Sequence, residues 1–296
     1  MGKTALVTGG TGFVGSRLVR RLLGDDWNVH LITRPSSNLE AVGLSSPRLT
    51  AHHHDGTTET AIAAVRAARP DVVFHLAAYF RAQHAPSDVT PMLESNLLFG
   101  AQLLEAMAVA GVRSLVNTGT SWQHFKDRES DPVCLYAATK ESFERLLAYY
   151  VETSGLKAVT LKLFDTYGPR DPRPKLFAML KEAAERGLEL EMSPGEQKLD
   201  LVFIDDVVAA YLAAAERLLA GKTAGAESFA VGTGRPRTLR DIVETFGRVT
   251  GRPVRAKWGA KPYRPREVMT PWTKGKPLPG WSAKTTLEEG IALSAG

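Results

Sequence analysis

Tyr136 and Lys140 stand four residues apart in Leu135-Tyr136-Ala137-Ala138-Thr139-Lys140. On a helix this spacing sets a phenol and an ammonium on one face, where the positive charge favours the phenolate and brings a proton donor closer to neutral pH. Tyr136 is therefore a candidate general acid/base. Near the start of the chain, Thr8-Gly9-Gly10-Thr11-Gly12-Phe13-Val14-Gly15 has the spacing of a turn that cradles a dinucleotide. Gly9 allows a tight turn, Gly12 lets the backbone approach a pyrophosphate at a helix N-terminus, and Gly15 permits close helix-strand packing. A proton donor and a dinucleotide site together point to hydride transfer coupled to proton transfer.

The elements that must position these groups follow from periodicity. Residues 3–8 read as a buried strand and Val14 to Leu23 as an amphipathic helix, with the glycines between them. Strands are expected at Asn28 to Thr33, Arg48 to His54, Val72 to Ala77, Ser114 to Thr118 and Ala158 to Phe164. Helices are expected at Ala61 to Ala68, Leu93 to Ala110 and Tyr136 to Thr153. This alternation predicts an α/β fold, a Rossmann-type doubly wound parallel sheet whose ligands bind at the carboxyl ends of the strands. Beyond Phe164 the pattern changes: a turn with Pro169, Pro172 and Pro174, a helix near Lys175 to Arg186, a strand and helix over Val202 to Leu219, and a helix at Leu239 to Thr250. The expected organisation is a dinucleotide-binding domain over 1–165, to which 201–226 returns, and a smaller C-terminal substrate-binding lobe drawn mostly from 166–296.

The second strand ends at Thr33-Arg34-Pro35-Ser36-Ser37, without the acid that would accept from ribose hydroxyls. Arg34 with Ser36 or Ser37 suits a 2′-phosphate instead, which favours NADP(H) and leaves NAD(H) possible. Asp55 after the third strand either accepts from an adenine amino group or caps the Asp55-Gly56 turn. Small Ala77 and Ala78 after the fourth strand let a cofactor lie close.

Composition narrows the class. At 296 residues and 44% hydrophobic content the chain can bury a sizeable core. There is no run of about eighteen apolar residues, and Met1-Gly2-Lys3 leads straight into a strand, so no membrane span or signal peptide is expected and the reading is cytoplasmic. The single cysteine, Cys134, excludes an intrachain disulfide or a cysteine-based zinc site, and no metal is expected. The net charge of +5 is concentrated in residues 252–276, which hold eight Lys or Arg and one acid. With Trp258, Tyr263 and Trp272 interleaved, that segment suits either nucleic acid or one phosphorylated ligand.

The Gly9-x-x-Gly12-x-x-Gly15 spacing, Tyr136-x-x-x-Lys140 and strand-end Thr118-Gly119-Thr120 resemble the extended short-chain dehydrogenase/reductases, the NAD(P)-dependent nucleotide-sugar epimerase/dehydratase family. Leu161 to Pro169, Leu201 to Val207 and the closing Leu278-Pro279-Gly280-Trp281 resemble family segments too. The resemblance implies that Tyr136 is the catalytic acid/base, that Lys140 binds the nicotinamide ribose and lowers the tyrosine pKa, and that Thr120 hydrogen-bonds the reacting oxygen. It places the cofactor against Gly9, Gly12, Phe13, Val14, Gly15, Arg34, Ser36, Ser37, Asp55, Gly56, Leu76, Ala77, Ala78, Asn96 and Thr118, besides Tyr136 and Lys140.

Departures from the family pattern are informative. Sugar 4,6-dehydratases carry Asp-Glu directly after the catalytic Thr, where this chain reads Ser121-Trp122-Gln123-His124, so dehydration is disfavoured. The usual Asn of the Leu161 to Pro169 segment is Asp165. Segments such as Glu94-Ser95-Asn96-Leu97 and Asp200-Leu201-Val202-Phe203-Ile204 resemble 4-ketoreductases of the CDP-paratose and CDP-abequose synthase type. That resemblance implies a sugar pocket lined by Phe80, Arg81, Thr120, Ser121, Trp122, His124 and Asp165. It also implies a diphosphate grip from Arg264 or Arg266, of which only one faces the cleft. The expected activity is NADPH-dependent reduction of a nucleotide-linked 4-keto-deoxyhexose. An NAD-dependent nucleotide-sugar epimerase is the alternative, and a non-catalytic NADP-sensing or RNA-binding protein is the reading from another class. The expected partner is a nucleotide-diphosphate sugar, not nucleic acid or membrane, and the resemblance suggests a homodimer through residues 93–110 and 136–153.

Overall fold

The computed structural model describes residues 2–39 and 45–295. The N-terminal part alternates strand and helix: β1 (Thr4–Thr8), α1 (Phe13–Gly24), β2 (Asn28–Thr33), β3 (Leu49–His53), α2 (Thr58–Ala68), β4 (Val72–His75), α3 (Val89–Leu93), α4 (Phe99–Ala110), β5 (Ser114–Thr120), α5 (Leu135–Ser154) and β6 (Lys157–Leu163). Short elements then intervene: β7 (Asp165–Tyr167), α6 (Leu176–Arg186), β8 (Glu189–Met192), β9 (Lys198–Leu199) and β10 (Leu201–Phe203). The chain closes with α7 (Ile204–Leu219), β11 (Ala226–Val231), β12 (Arg237–Thr238), α8 (Leu239–Thr250), β13 (Arg255–Trp258) and α9 (Leu287–Ala295).

Seven parallel strands form the central sheet in the order β11-β6-β5-β4-β1-β2-β3. Its inner strands are apolar on both faces because helices cover both. On one face Leu18, Val19 and Leu22 of α1 and Val207, Tyr211 and Leu218 of α7 pack on the sheet. Val65 of α2, Leu103 and Met107 of α4, and Phe143 and Leu147 of α5 pack on the other. The strand order reverses between β1 and β4, so a crevice opens there at the carboxyl ends, as the alternation predicts. A separate apolar cluster joins Leu180 of α6, Met192 of β8, Val243 and Phe246 of α8 and Ile291 of α9.

Three details differ from the periodicity reading. The helix expected from Leu93 begins at Val89 and contains one wide π turn, Glu94–Leu98, that carries Asn96 inward. Wide turns of this kind occur mostly as single insertions in α-helices, often at functional sites. Strand β5 runs two residues past Thr118, which makes Gly119 and Thr120 part of the sheet. Strands β7 to β10, β12 and β13 are two to four residues long, too short to produce a periodic signal. Among the described residues no helix is long and apolar enough to cross a membrane, and no cluster of His, Cys, Asp or Glu could hold a metal. The outer faces of the helices expected to pair keep apolar side chains exposed, Leu98 at 53% and Tyr149 at 62%.

Candidate active site

The β1–α1 turn is built by its glycines. Gly9 has φ +71°, and a Cβ there would lie 2.6 Å from the Ala77 nitrogen, so any side chain would push β1 and β4 apart. A Cβ on Gly15 would lie 2.1 Å from the Gly9 carbonyl oxygen. Gly12 opens α1 with no side-chain cap, leaving the first helical N–H groups without a side-chain acceptor. Such an end is suited to an anion. Phe13, Val14 and Gly15 line a cleft of about 240 Å³ whose other walls include Leu76, Ala78, Thr118, Thr120 and Tyr136.

Under the cleft, hydrogen bonds hold the strand ends in register. The Thr8 hydroxyl accepts the Ala77 N–H at 3.2 Å and shares a hydrogen bond of 2.8 Å with His75 Nδ1. Burial drives the His75 imidazole down to about 3, with the nearby Lys140 charge adding to it. His75 is therefore a neutral structural group. Thr118 Oγ1 donates to the His75 carbonyl at 2.8 Å and lies 2.6 Å from the Tyr211 hydroxyl. One hydroxyl hydrogen serves one acceptor, so Tyr211 is the donor to Thr118.

Tyr136 lies in the first turn of α5, half-buried in the cleft wall, and Lys140 follows one turn later, 2% exposed. Burial overturns the expected direction of the tyrosine shift. The phenol is pushed above its ordinary value, mainly by desolvation and secondarily by Cys134, and Arg173 pulls weakly the other way. Lys140 falls from 10.5 to about 8 by burial, partly offset by Glu144 one turn on. A shift of that size corresponds to roughly 3 kcal/mol against the charged ammonium. Both shifts are dominated by desolvation, which the one-turn spacing does not encode. The site therefore holds a protonated phenol and, one helical turn on, an ammonium that titrates close to neutral pH.

A second cavity of about 510 Å³ adjoins the first and shares Phe80, Trp122, Phe164, Asp165, Arg173 and Lys175 with it. Ser121, Trp122 and His124 line it, with Ser121–Gln123 coiled as a single 3-10 turn after β5. His124 stacks on Trp272 with centroids 3.9 Å apart, and its Nδ1 lies 3.2 Å from the Arg128 carbonyl. Arg264 lies on the cavity wall, 5.8 Å from the Trp122 ring and paired with Glu267 at 2.7 Å. Arg266 instead pairs with Asp131 and packs 4.4 Å from the Phe125 ring, off the wall. This geometry chooses between the two arginines left open by alternation.

Several other expected contacts lie elsewhere. Arg81 is absent from both cavity walls; it packs on Tyr79 at 4.9 Å and reaches Asp88 at 3.5 Å, because the acid at the start of α3 offers the guanidinium a partner. Asn96 is fully engaged, accepting the Tyr79 N–H at 2.7 Å and donating to the Tyr79 carbonyl and Thr139 Oγ1. Its role is to hold the loop after β4. Asp55 Oδ1 accepts from the Thr57 backbone and from the Thr57 and Thr60 hydroxyls, which depresses the carboxyl to about 2 and makes it the anchor of the turn that leads through the exposed Gly56 to Thr57, the N-cap of α2. Arg34 and Ser36 are exposed and Ser37 half-buried just past β2, where the Ser37 N–H donates to the Arg34 carbonyl in a tight turn.

Sequence reasoning missed Arg173, Lys175 and Gln197. Lys175 lies 5.5 Å from the Phe80 ring at the junction of the cavities; burial pushes its ammonium down and pushes the Asp165 carboxyl up, while each charge counteracts the other's shift. Gln197 lines the larger cavity, donates from Nε2 to Ser193 Oγ at 2.8 Å, and has a buried amide oxygen with no protein partner. A buried acceptor left open on a cavity wall suits a ligand donor.

Residues 5–232 match the model of the NAD dependent epimerase/dehydratase family. The chain belongs to that family. It is 25% identical over 292 residues to CDP-abequose synthase of Salmonella muenchen, covering 98% of this chain and 96% of that one. It is 28% identical over 305 residues to UDP-glucose 4-epimerase of Mycolicibacterium smegmatis, covering 97% and 96%. Among solved structures, UDP-glucuronic acid 4-epimerase from Bacillus cereus in complex with UDP-glucuronic acid and NAD superposes with a TM-score of 0.85 at 25% identity, covering 98% and 97%. These findings agree with the family resemblance read from the motifs, including the likeness to CDP-abequose synthases. The family's parallel sheet and dinucleotide turn are both present here.

Proposed function

We propose that this protein is an NADPH-dependent reductase of a nucleotide-linked 4-keto-deoxyhexose. The observation that carries the reading is that Tyr136 and Thr120 line the smaller cleft where it shares walls with the 510 Å³ cavity. A dinucleotide lying on the α1 N-terminus and a sugar nucleotide in the larger cavity would meet beside them. The cofactor supplies the hydride. Tyr136, kept protonated by burial, donates to the sugar O4, and the Thr120 hydroxyl hydrogen-bonds the same oxygen. Lys140 holds the nicotinamide ribose, and Arg264 grips the diphosphate as a fork that suits phosphate oxygens.

Three features favour reduction over the alternatives. A protonated phenol is ready to donate, whereas epimerisation must begin by removing a proton from a hydroxyl. Arg34 with Ser36 and Ser37 at the end of β2 offers a 2′-phosphate site and no acid for the ribose hydroxyls. No carboxylic acid directly follows Thr120 in the chain, where Ser121-Trp122-Gln123-His124 stand instead, and Glu144 is occupied by Gln123 and Lys162. Mass spectrometry of the purified protein tests the reading. Protein that comes free of tightly held NAD and binds NADPH reversibly supports a reductase, and stoichiometric retained NAD supports the epimerase instead.

A further inference from the structure

Thr120 ends β5, and its N–H is held by a side chain. Gln123 Oε1 accepts it at 2.9 Å, while Gln123 Nε2 donates to Glu144 Oε1 at 2.9 Å. Glu144 lies on α5, two turns past Tyr136 and one past Lys140, and takes both of its oxygens to Lys162 Nζ at 2.7 and 2.8 Å. Gln123 is 1% exposed and the Lys162 side chain 4%, while the Glu144 side chain between them is 23% exposed, so the two ends of the chain of bonds are buried and an unpaired member there is costly. Gly119 makes room for it: a Cβ there would lie 2.9 Å from Lys162 Cδ and 3.0 Å from Gln123 Oε1.

We infer that Gln123 and Glu144 form a brace that sets the position of Thr120 on β5 relative to Tyr136 on α5. The inference rests on the reading of Thr120 and Tyr136 as the reacting pair. Gln123 is a positioning residue: it touches neither cavity wall but fixes the backbone that carries the Thr120 hydroxyl. Its amide is suited to the task because it accepts from one element and donates to another, which neither a hydroxyl-free apolar side chain nor a carboxylate facing Glu144 can do. Lys162 neutralises Glu144 and keeps it an acceptor, with Lys140 and Glu141 the other charges nearby.

The test is a double-mutant cycle of Gln123→Met and Thr120→Ala, read as kcat and KM on whichever nucleotide sugar turns over, together with amide exchange of the Thr120 N–H. Gln123→Met should lower kcat about tenfold to a hundredfold with KM little changed. That loss should vanish in the Thr120→Ala background. The Thr120 amide should exchange about fivefold faster or more in Gln123→Met. Losses that multiply across the cycle, or an unchanged Thr120 exchange rate, overturn the brace. Absence of turnover on every nucleotide sugar refutes the proposed function, and the exchange rates then decide the brace alone.

Discussion

The rings of Phe80 and Tyr136 meet edge to face, with centroids 4.9 Å apart and planes at 84°. Phe80 is itself held between Trp122 at 6.0 Å and the Lys175 ammonium at 5.5 Å, so side chains from the loops after β4 and β5 and from the start of α6 clamp the phenol. The proposed proton donor is thus oriented before a ligand arrives, which is where much of an oriented group's catalytic advantage originates.

Tyr136→Phe keeps this ring contact and removes only the hydroxyl. Turnover should fall by about 10²- to 10⁴-fold, the range associated with a positioned proton donor. Fluorescence titration should find NADPH affinity within about twofold of the parent, since the proposed phosphate contacts are with the N-terminus of α1 and not with the phenol. Substantial residual turnover would remove Tyr136 from its role.

Lys140 sets a pH dependence. Its ammonium, lowered to about 8 by burial, is the form that the proposed ribose contact requires, so it is present below pH 8 and lost as pH rises through that value. Cofactor titrations from pH 6 to about 9.5 should show affinity flat at the acid end and weakening above about pH 8. Lys140→Met should bind weakly at every pH without that break; the same break in Lys140→Met would assign it to another group.

His75 sets a different one, in stability. Its folded pKa of about 3 lies below the unfolded value of 6.5, so between these limits the unfolded chain binds a proton that the folded chain refuses. The stability from keeping His75 neutral is present above pH 6.5 and is lost as pH falls toward 3, by about 1.4 kcal/mol per pH unit. The half-buried pair His30 and His52, joined at 2.8 Å and both lowered by desolvation, acts in the same direction. The stability from the Asp55 carboxylate is fully present above its ordinary range and is lost only below it, as pH falls toward about 2, which separates it from the histidines. Denaturant unfolding at pH 7.5, 6 and 5 should therefore show a declining free energy, with a shallower slope in His75→Asn. Equal slopes would mean that the imidazole is not neutral in the fold.

Arg34 tests the cofactor preference. Arg34→Ala should weaken NADPH by about tenfold or more, the loss expected for a charge-assisted phosphate contact, and leave NADH nearly unaffected. Equal losses for the two cofactors would argue against a 2′-phosphate contact.

The central sheet was legible because buried parallel strands and amphipathic helices leave different periods, and the glycine turn because each glycine answers to a distinct steric need. Tyr136 and Lys140 stood out by spacing, and Thr120 by the family resemblance. What stayed hidden depends on distant segments meeting. Arg264 and Arg266 are separated by their partners, and the decisive one, Asp131, is 135 residues from Arg266. Lys175 reads as the start of a helix, and only the folded chain sets that helix end at the cavity junction. The upward shift of the Tyr136 phenol comes from desolvation, which no spacing encodes. The π turn around Asn96 likewise lacks a sequence marker, since its cause is the bond network with Tyr79 and Thr139.

The most direct measurement follows hydride. With NADPH deuterated at the transferable position and a panel of CDP-, UDP- and dTDP-linked 4-keto-deoxyhexoses, mass and NMR spectra of the product report where the label goes. The account predicts one deuterium at sugar C4 for each NADPH oxidised, with at least one member of the panel. Interconversion of C4 epimers with no label transferred and NAD retained on the protein would contradict it.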